Sequence, residues 1–462
     1  MRVKLTFIVA SALLVGMCVQ RASAESRWSN TSGGTFDWNT SGNWQGSFPP
    51  GTADDVRITN DLSSSQLITN MGSSVGANVT NAINFLAVSN GLGSASVTVQ
   101  QGAGLFRSNF GLQIGKNATV ILTTNALIGT NQFLTFDLRP GGGAAGTLVL
   151  SNASPTSGFS VFLNNGGGTG VVNAGTIAFT PVNNQLVSIN YGQVSSFTNN
   201  INGTIVMKGS GTGGFIGNFG SNNRTFVNSG SIFVQAGTLR IDSRDAFSRG
   251  GFQNQTTGFI QVDNGGVFEI RRTTNAWVNG PAVTNLGTVF MNGGNIVMFD
   301  YTNAAGLFVP PGTNFARAIV NAGSIQGNGT IYGSIKDVSG GIVAPGFGFQ
   351  TLTVAGSADF GSNSTLSIEL GLLAGQTDVL NVGSNLTLNA NSILTLSGGA
   401  VGNVYTVATA FAESGTFGTV TPNYEVTYAG NDIMVQFVPE PSTMMLAAAG
   451  LLGLVALRRR KS

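Results

Sequence analysis

The chain of 462 residues carries 21 basic and 19 acidic side chains, no histidine and a single cysteine. Only 9% of it is charged, against about 25% in an ordinary soluble domain, whereas 42% is hydrophobic and 67 residues are glycine. Without histidine the usual general base, the Ser-His-Asp arrangement and the commonest metal ligand are excluded; one cysteine excludes a disulfide framework and a zinc cluster.

Arg2 and Lys4 precede an apolar stretch from Leu5 to Val19, and Ala22-Ser23-Ala24 supplies small residues for cleavage. This is the layout of a secretory signal peptide over residues 1–24, with Ala22 and Ala24 at the cleavage site and Glu25 as the new start. Cys18 falls inside the removed stretch, so the exported chain has no thiol. The positive charge is also concentrated at the ends. Arg2, Lys4 and Arg21 lie in the signal and Arg458, Arg459, Arg460 and Lys461 at the terminus, leaving 14 basic and 18 acidic residues between 25 and 437. A net charge of −4 offers nothing to nucleic acid.

Residues 25–62 hold three of the four tryptophans, Trp28, Trp38 and Trp44, and are expected to form an N-terminal cap. A β-stack needs one, because its end strands expose unpaired edges. Within the cap, Asp54-Asp55 beside a Pro-Pro-Gly turn is the only adjacent acidic pair. It suits a calcium or sugar site, or more simply the start of a strand.

Residues 63–345 are expected to form the body. One phrase recurs there: VNAGTI at 172–177, VNSGSI at 227–232, TNLGTV at 284–289 and VNAGSI at 320–325, with looser copies at 201–205 and 256–260. Its glycines are Gly175, Gly203, Gly230, Gly258, Gly287 and Gly323. A period near 28 residues signals a solenoid in which each unit is one coil. Short alternating runs such as SIFVQAGTLRI at 231–241 leave no room for helices, so the fold class is all-β, a parallel β-helix. Asn173, Asn228, Asn285 and Asn321 stand two places before their glycines. They fit an inward ladder of stacked amides, and they also suit a residue that tolerates the turn.

The charge-dense stretches are LRIDSRDAFSRGG at 239–251 and VFEIRR at 267–272. As an enzyme site they would supply Asp242, Asp245, Asp263 and Glu269 as acids. Aligned as neighbouring coils they place Arg240 over Glu269 and Asp242 over Arg271, as exposed pairs on the outer face. A GxGxxG match at Gly209, Gly211 and Gly214 lacks a phosphate lysine or a strand-to-helix context, and carries no weight in a chain this rich in glycine.

Past Gly346 the runs lengthen, as in TLTVAG, STLSIELG and YTVATAF, and residues 346–437 are expected to form a C-terminal β section. Residues 438–462 close the chain with Pro439-Glu440-Pro441, an apolar run of 15 residues from Thr443 to Leu457, and four basic residues. As a short hydrophobic helix the run reaches about 22 Å, less than the roughly 30 Å of bilayer hydrocarbon. It can lodge in a membrane transiently, with the basic end held inside.

In that order of triplet, apolar run and basic terminus, the chain resembles proteins with a PEP-CTERM sorting signal. The resemblance implies an exosortase-type partner in a Gram-negative envelope, with Pro439, Glu440 and Pro441 as recognition residues. It also implies retention through Arg458, Arg459, Arg460 and Lys461. Carriers of the signal are tied to exopolysaccharide, biofilm or cell-surface material. ADDVRI at 53–58, the N-x-G-[ST]-I repeats and GGIVAPGFGFQTLTVAG at 340–356 look like autotransporter-associated β-strand repeats, without the transmembrane barrel. The expected function is thus an exported, non-enzymatic surface or matrix solenoid, structural or adhesive, that needs no cofactor. The alternative is a polysaccharide hydrolase or lyase on the same fold.

Overall fold

The structure, a computed structural model, describes residues 25–438 apart from 48, 51–53, 60–63, 72–81, 91–94, 103–104, 130–145, 153–157, 165–170, 192–195, 218–224, 244–250, 274–282, 302–317 and 347; beyond these it describes 445–446 and 449–453. Nearly all of its regular secondary structure is β-strand, and parallel pairing dominates. Within a strand such as Ala118–Leu122, buried Ala118, Val120 and Leu122 alternate with half-buried Thr119 and Ile121, the period-two pattern of a strand with one face in a core. Two compact units divide the chain: Met1–Ile121 with Asn125–Gly146, and Leu122–Thr124 with Thr147–Ser462.

The first unit is built from two parallel ladders. One runs through Glu25–Arg27, Asp55–Ile58, Ala82–Val88, Phe106–Ile114 and Ala126–Gly129. The other runs through Gly34–Asp37, Gln66–Met71, Val97–Gln101 and Ala118–Leu122. Trp28, Trp38 and Trp44 are buried beside the first strands. Trp44 meets both of the others edge to face, with ring centroids 4.9 Å apart. Their polar handles are satisfied as burial demands: Trp28 Nε1 donates to Gln66 Oε1 at 3.0 Å and Trp44 Nε1 to the Trp38 carbonyl at 2.8 Å.

The second unit has three ladders per coil. Thr176–Phe179, Leu186–Asn190 and Ser196–Asn199 make one coil, and stack in register on Thr204–Met207, Thr212–Gly217 and Thr225–Asn228. Thr204 in turn pairs with Ser231, Ser231 with Phe259, Phe259 with Thr288 and Thr288 with Ser324. Gly175, Gly203, Gly230, Gly258, Gly287 and Gly323 each precede one of these residues, so the repeated glycines form one row. A side chain has no room there. On Gly230 a Cβ would overlap the carbonyls of Asn200 and Gly203, and on Gly287 those of Gly258 and Gln255. Inside, Phe197, Phe226 and Phe252 stack coil on coil at 5.2 and 5.8 Å.

Parallel pairing continues past Gly346, with Thr351–Val354 on Val379–Leu388 and Thr365–Leu370 on Ile393–Gly398. The longer runs beyond Gly346 therefore change strand length within the same ladders. Among the described strands, antiparallel pairing enters with Asp432–Phe437, which lies between Val404–Gly415 and Tyr424–Ala429.

The asparagines form a continuous ladder with more rungs than the spacing predicts. Asn173, Asn199, Asn228, Asn254, Asn285 and Asn321 are all buried, and each Nδ2 donates to the Oδ1 of the next at 2.7–2.8 Å. Asn199 and Asn254 stand four residues before their glycines rather than two. The extra residues are taken up by a wider turn closed by the amides of Gly203 and Gly258 on the carbonyls of Asn200 and Gln255, both at 2.7 Å. The second hydrogen of each nitrogen points at a main-chain carbonyl, as from Asn199 to Gly203 and from Asn254 to Gly258, both at 3.2 Å. Asn228→Ala orphans the donor of Asn199 and the acceptor of Asn254. At about 1–3 kcal/mol for each buried group left unpaired, urea unfolding is expected to show a loss of several kcal/mol, with hydrogen-exchange protection falling first around residues 199–254.

Asp337 ends the ladder. Its Oδ1 accepts from Asn321 Nδ2 at 2.6 Å, and the next position in the register is the buried Phe360. Asp337 Oδ2 occupies the branch where the asparagines carry nitrogen, and among the described residues it has no hydrogen-bond partner. Burial pushes this carboxyl up to about 7, against the lowering effect of the Asn321 hydrogen bond. The folded chain thus holds a proton that the unfolded chain releases near 3.8. The stability this group contributes is fully present below pH 3.8 and is lost as pH rises through about 7, a span worth on the order of 4 kcal/mol. Asp337→Asn is expected to flatten that part of the pH dependence and to raise the melting temperature at pH 8, measured by thermal unfolding across the range.

Candidate functional site

The sequence singles out three groups of residues: the two processing segments, the acidic pair of the cap, read more simply as a strand start, and the charged strands, read as pairs across neighbouring coils. Ala22 and Ala24 lie outside the described residues, as do Pro439, Glu440, Pro441, Arg458, Arg459, Arg460 and Lys461. The residues that adjoin these two segments are described. Glu25–Arg27 is already a strand, held by Glu25 to Arg57 at 2.7 Å and to Arg27 at 3.1 Å. The Arg27 hydrogen bond, aided by the charges of Arg27 and Arg57, holds the Glu25 carboxyl below its ordinary value. At the other end Asp432–Phe437 is the last strand, and the Val438 amide donates to the Asn423 carbonyl at 2.8 Å. Val438 directly precedes Pro439, and proline at 439 and 441 disfavours a helix continuing unbroken upstream. Helical residues reappear at 445–446 and 449–453, with Met445, Leu446, Leu451 and Leu452 exposed. Among the described residues no helix is long and apolar enough to cross a membrane.

Asp54 and Asp55 do not share one site. Asp54 Oδ2 accepts from Ser26 Oγ at 2.9 Å, while Asp55 opens the strand Asp55–Ile58 opposite Glu25. Of the GxGxxG match, Gly214 is a mid-strand residue of Thr212–Gly217.

The charged strands pair as the alignment predicts, with Arg240 opposite Glu269 and Asp242 opposite Arg271. Leu239, Ile241, Phe268 and Ile270 fill the interior between them. The expectation of exposed pairs is wrong, however: Asp242, Glu269 and Arg271 are all buried. Glu269 sits between two guanidinium groups. Arg240 Nε reaches its Oε1 at 3.1 Å, and Arg271, two residues along the same strand, folds back onto that oxygen. Both guanidinium groups converge on one carboxylate at a position that alternation turns outward, and that position is nonetheless buried. The pairing rule gives partners across coils but carries no information on burial. Asp263 lies apart, accepting from Gln261 at 2.7 Å and Asn292 at 2.9 Å, and Asp245 is outside the described residues.

Burial changes the energetics of the cluster. An exposed pair contributes little, but removing one partner of a buried pair leaves an uncompensated charge and costs about 3–5 kcal/mol. Glu269→Ala is expected to lose stability on that scale in urea unfolding and to show little dependence on salt, because the cluster is shielded from solvent. Glu25→Ala, at an exposed pair, is expected to change stability little.

Compared with known families, residues 437–461 match the model of the PEP-CTERM protein-sorting motif. No curated protein matches the chain. Signals of this kind are recognised by exosortase-type enzymes and imply export to the cell envelope or surface, and here the signal is carried by a chain whose described residues are folded almost wholly as a parallel β-solenoid.

Proposed function

We propose that the protein is an exported, non-enzymatic solenoid of the cell surface or matrix, delivered by an exosortase and structural or adhesive in exopolysaccharide-rich material. The observation that carries this reading is the sorting motif at residues 437–461, which begins where the last strand ends. The surface supports it. Thr147, Thr176, Thr204 and Ser231 form an in-register row of half-buried hydroxyls along one outer face, a regular polar strip of the kind a structural or adhesive surface can use. The repeats that look like autotransporter-associated strands belong to the same picture of a displayed solenoid. A hydrolase or lyase would need two carboxyl groups converging on one bond. Glu269 is committed to Arg240 and Arg271, and Asp263 to two amides.

In this reading the apolar run lodges in the inner membrane while Arg458, Arg459, Arg460 and Lys461 hold it, and Pro439, Glu440 and Pro441 are then read by the enzyme. Mass measurement of the C-terminus in a host with a matching enzyme is expected to find a mature chain without the apolar run and the basic tail. Glu440→Ala is expected to block that processing and to leave the solenoid folded. Neutral replacements at Arg458, Arg459, Arg460 and Lys461 are expected to lower the amount retained for processing. An intact chain ending at Ser462 as the main species in native membranes would overturn the reading.

A further inference from the structure

Three consecutive coils close with apolar loops at the same corner. Residues 346–350 join Ile342–Pro345 to Thr351–Val354, 371–378 join Thr365–Leu370 to Val379–Leu388, and 399–403 join Ile393–Gly398 to Val404–Gly415. Their neighbours place them side by side. The Phe349 ring lies so close to Gly371 that a side chain there would meet it. Tyr405 donates its hydroxyl to the Gly371 carbonyl at 2.7 Å, and Asn403 its amide to the Leu372 carbonyl at 3.2 Å. Val401 bridges to Phe437, and Val404 pairs with Gln436.

The tips of this corner are bare. Leu372 is 75% exposed, Leu373 65%, Val401 60% and Val404 52%, with Phe349 and Val438 at its two ends. None of the residues 346–350, 371–377 or 399–403 is charged. Adjacent apolar side chains at this exposure mark an interaction surface rather than stray surface residues. Phe349 adds an independent sign. Among the described residues the other non-glycine positions of positive φ are Ser47 and six asparagines, whereas Phe349 carries a bulky ring at φ 62°. For such a residue that conformation is strained, and it persists only where the surroundings enforce it. They do: the buried Asp378 carboxylate accepts from the amides of Gln350 at 3.2 Å and Glu369 at 3.1 Å, pinning two of the loops.

We propose that this corner ridge is a membrane-surface contact that rests on the lipid headgroup boundary while the precursor is held by its tail. The occupant follows from where the ridge ends. It runs to Val438, and five residues further on, at most roughly 17 Å of extended chain, the apolar run begins at Thr443. A bilayer that holds the run therefore lies within reach of Leu372, Leu373 and Val401. The contact is apolar and not electrostatic, because the ridge has no basic residue to attract anionic lipid. It also presents Pro439–Pro441 close to the membrane plane, where a membrane enzyme can reach them. The proposal rests on tail insertion, which the test separates from it.

The full chain with Cys18→Ser has no thiol, so one cysteine can be placed and labelled with an environment-sensitive fluorophore. Leu373→Cys reports the ridge, Leu451→Cys the tail, and Thr387→Cys a site away from both; circular dichroism checks that each remains β-folded. With vesicles of phosphatidylethanolamine and a minority of phosphatidylglycerol, a several-fold gain in emission with a blue shift is expected at positions 373 and 451 but not at 387. Vesicles of phosphatidylcholine alone are expected to give the same gain at 373. In a Leu372→Ser, Val401→Ser background the gain at 373 is expected to fall while that at 451 persists. A response at 451 without one at 373 would overturn the ridge and leave the sorting reading standing; no response at either would overturn both. A gain at 373 that appears without vesicles and grows with protein concentration would assign the ridge to a second copy of the chain and also overturn the proposal.

Discussion

Six buried amides set the terms on which the second unit is built. A parallel stack of coils gains its main-chain hydrogen bonds only if successive strands meet in register, and hydrophobic alternation rules out a slip by one residue but not a slip by two. The run from Asn173 to Asn321 fixes it one residue at a time, because each amide must find the next or be left unpaired in the core. The glycine row is a consequence. Each coil must pass the carbonyls beneath it closely enough for the amides to touch, and at Gly230, Gly258 and Gly287 a β-carbon would stand in the way.

The same economy explains how so few charges can be tolerated. Solenoid coils contact mainly their neighbours, so stability accumulates locally and does not require a central core. Among the described residues, two charged groups order the strands around them. Glu25 ties the first strand to Arg57, and Glu269 locks two adjacent coils through Arg240 and Arg271. The segment that carries sorting information begins at Phe437, as the last strand ends.

Much of this architecture was legible in the sequence, and the gaps have physical causes. The glycines could be read because close approach tolerates only one residue type, and the spacing of Gly203, Gly230 and Gly258 survives differences in the turn before them. Two of the six asparagine rungs could not be read the same way. Asn199 and Asn254 are displaced by two residues in sequence yet sit in register with Asn173 and Asn228, since a wider turn absorbs the difference. Asp337 was missed for a related reason: it stands four residues before Gly341, and an aspartate in a turn reads as surface. The partners of Arg240 and Asp242 were recoverable from offsets, but the burial of Asp242, Glu269 and Arg271 was not, because residue types at matched offsets record partners and not cover. The sorting segment was legible because its information is composition and order rather than shape. The apolar corner was not, because GFGF, GLLAG and GAVG look like ordinary strand ends until the topology stacks them.

The direction of the amide ladder has a consequence for the history of the chain. Each rung after Asn173 accepts from the coil before it and donates to the coil after it, so a coil with one asparagine is a complete module with a matching plug and socket. A duplication or deletion upstream of Asn321 that respects the module leaves no dangling hydrogen bond, and the length of the protein is free to drift by whole coils. Asp337 is the exception, since it accepts and does not pass the bond on. Variation in coil number is therefore expected to accumulate on its N-terminal side, while the coils that follow it, and the exit point of the sorting segment with them, stay constant in number among descendants of this gene.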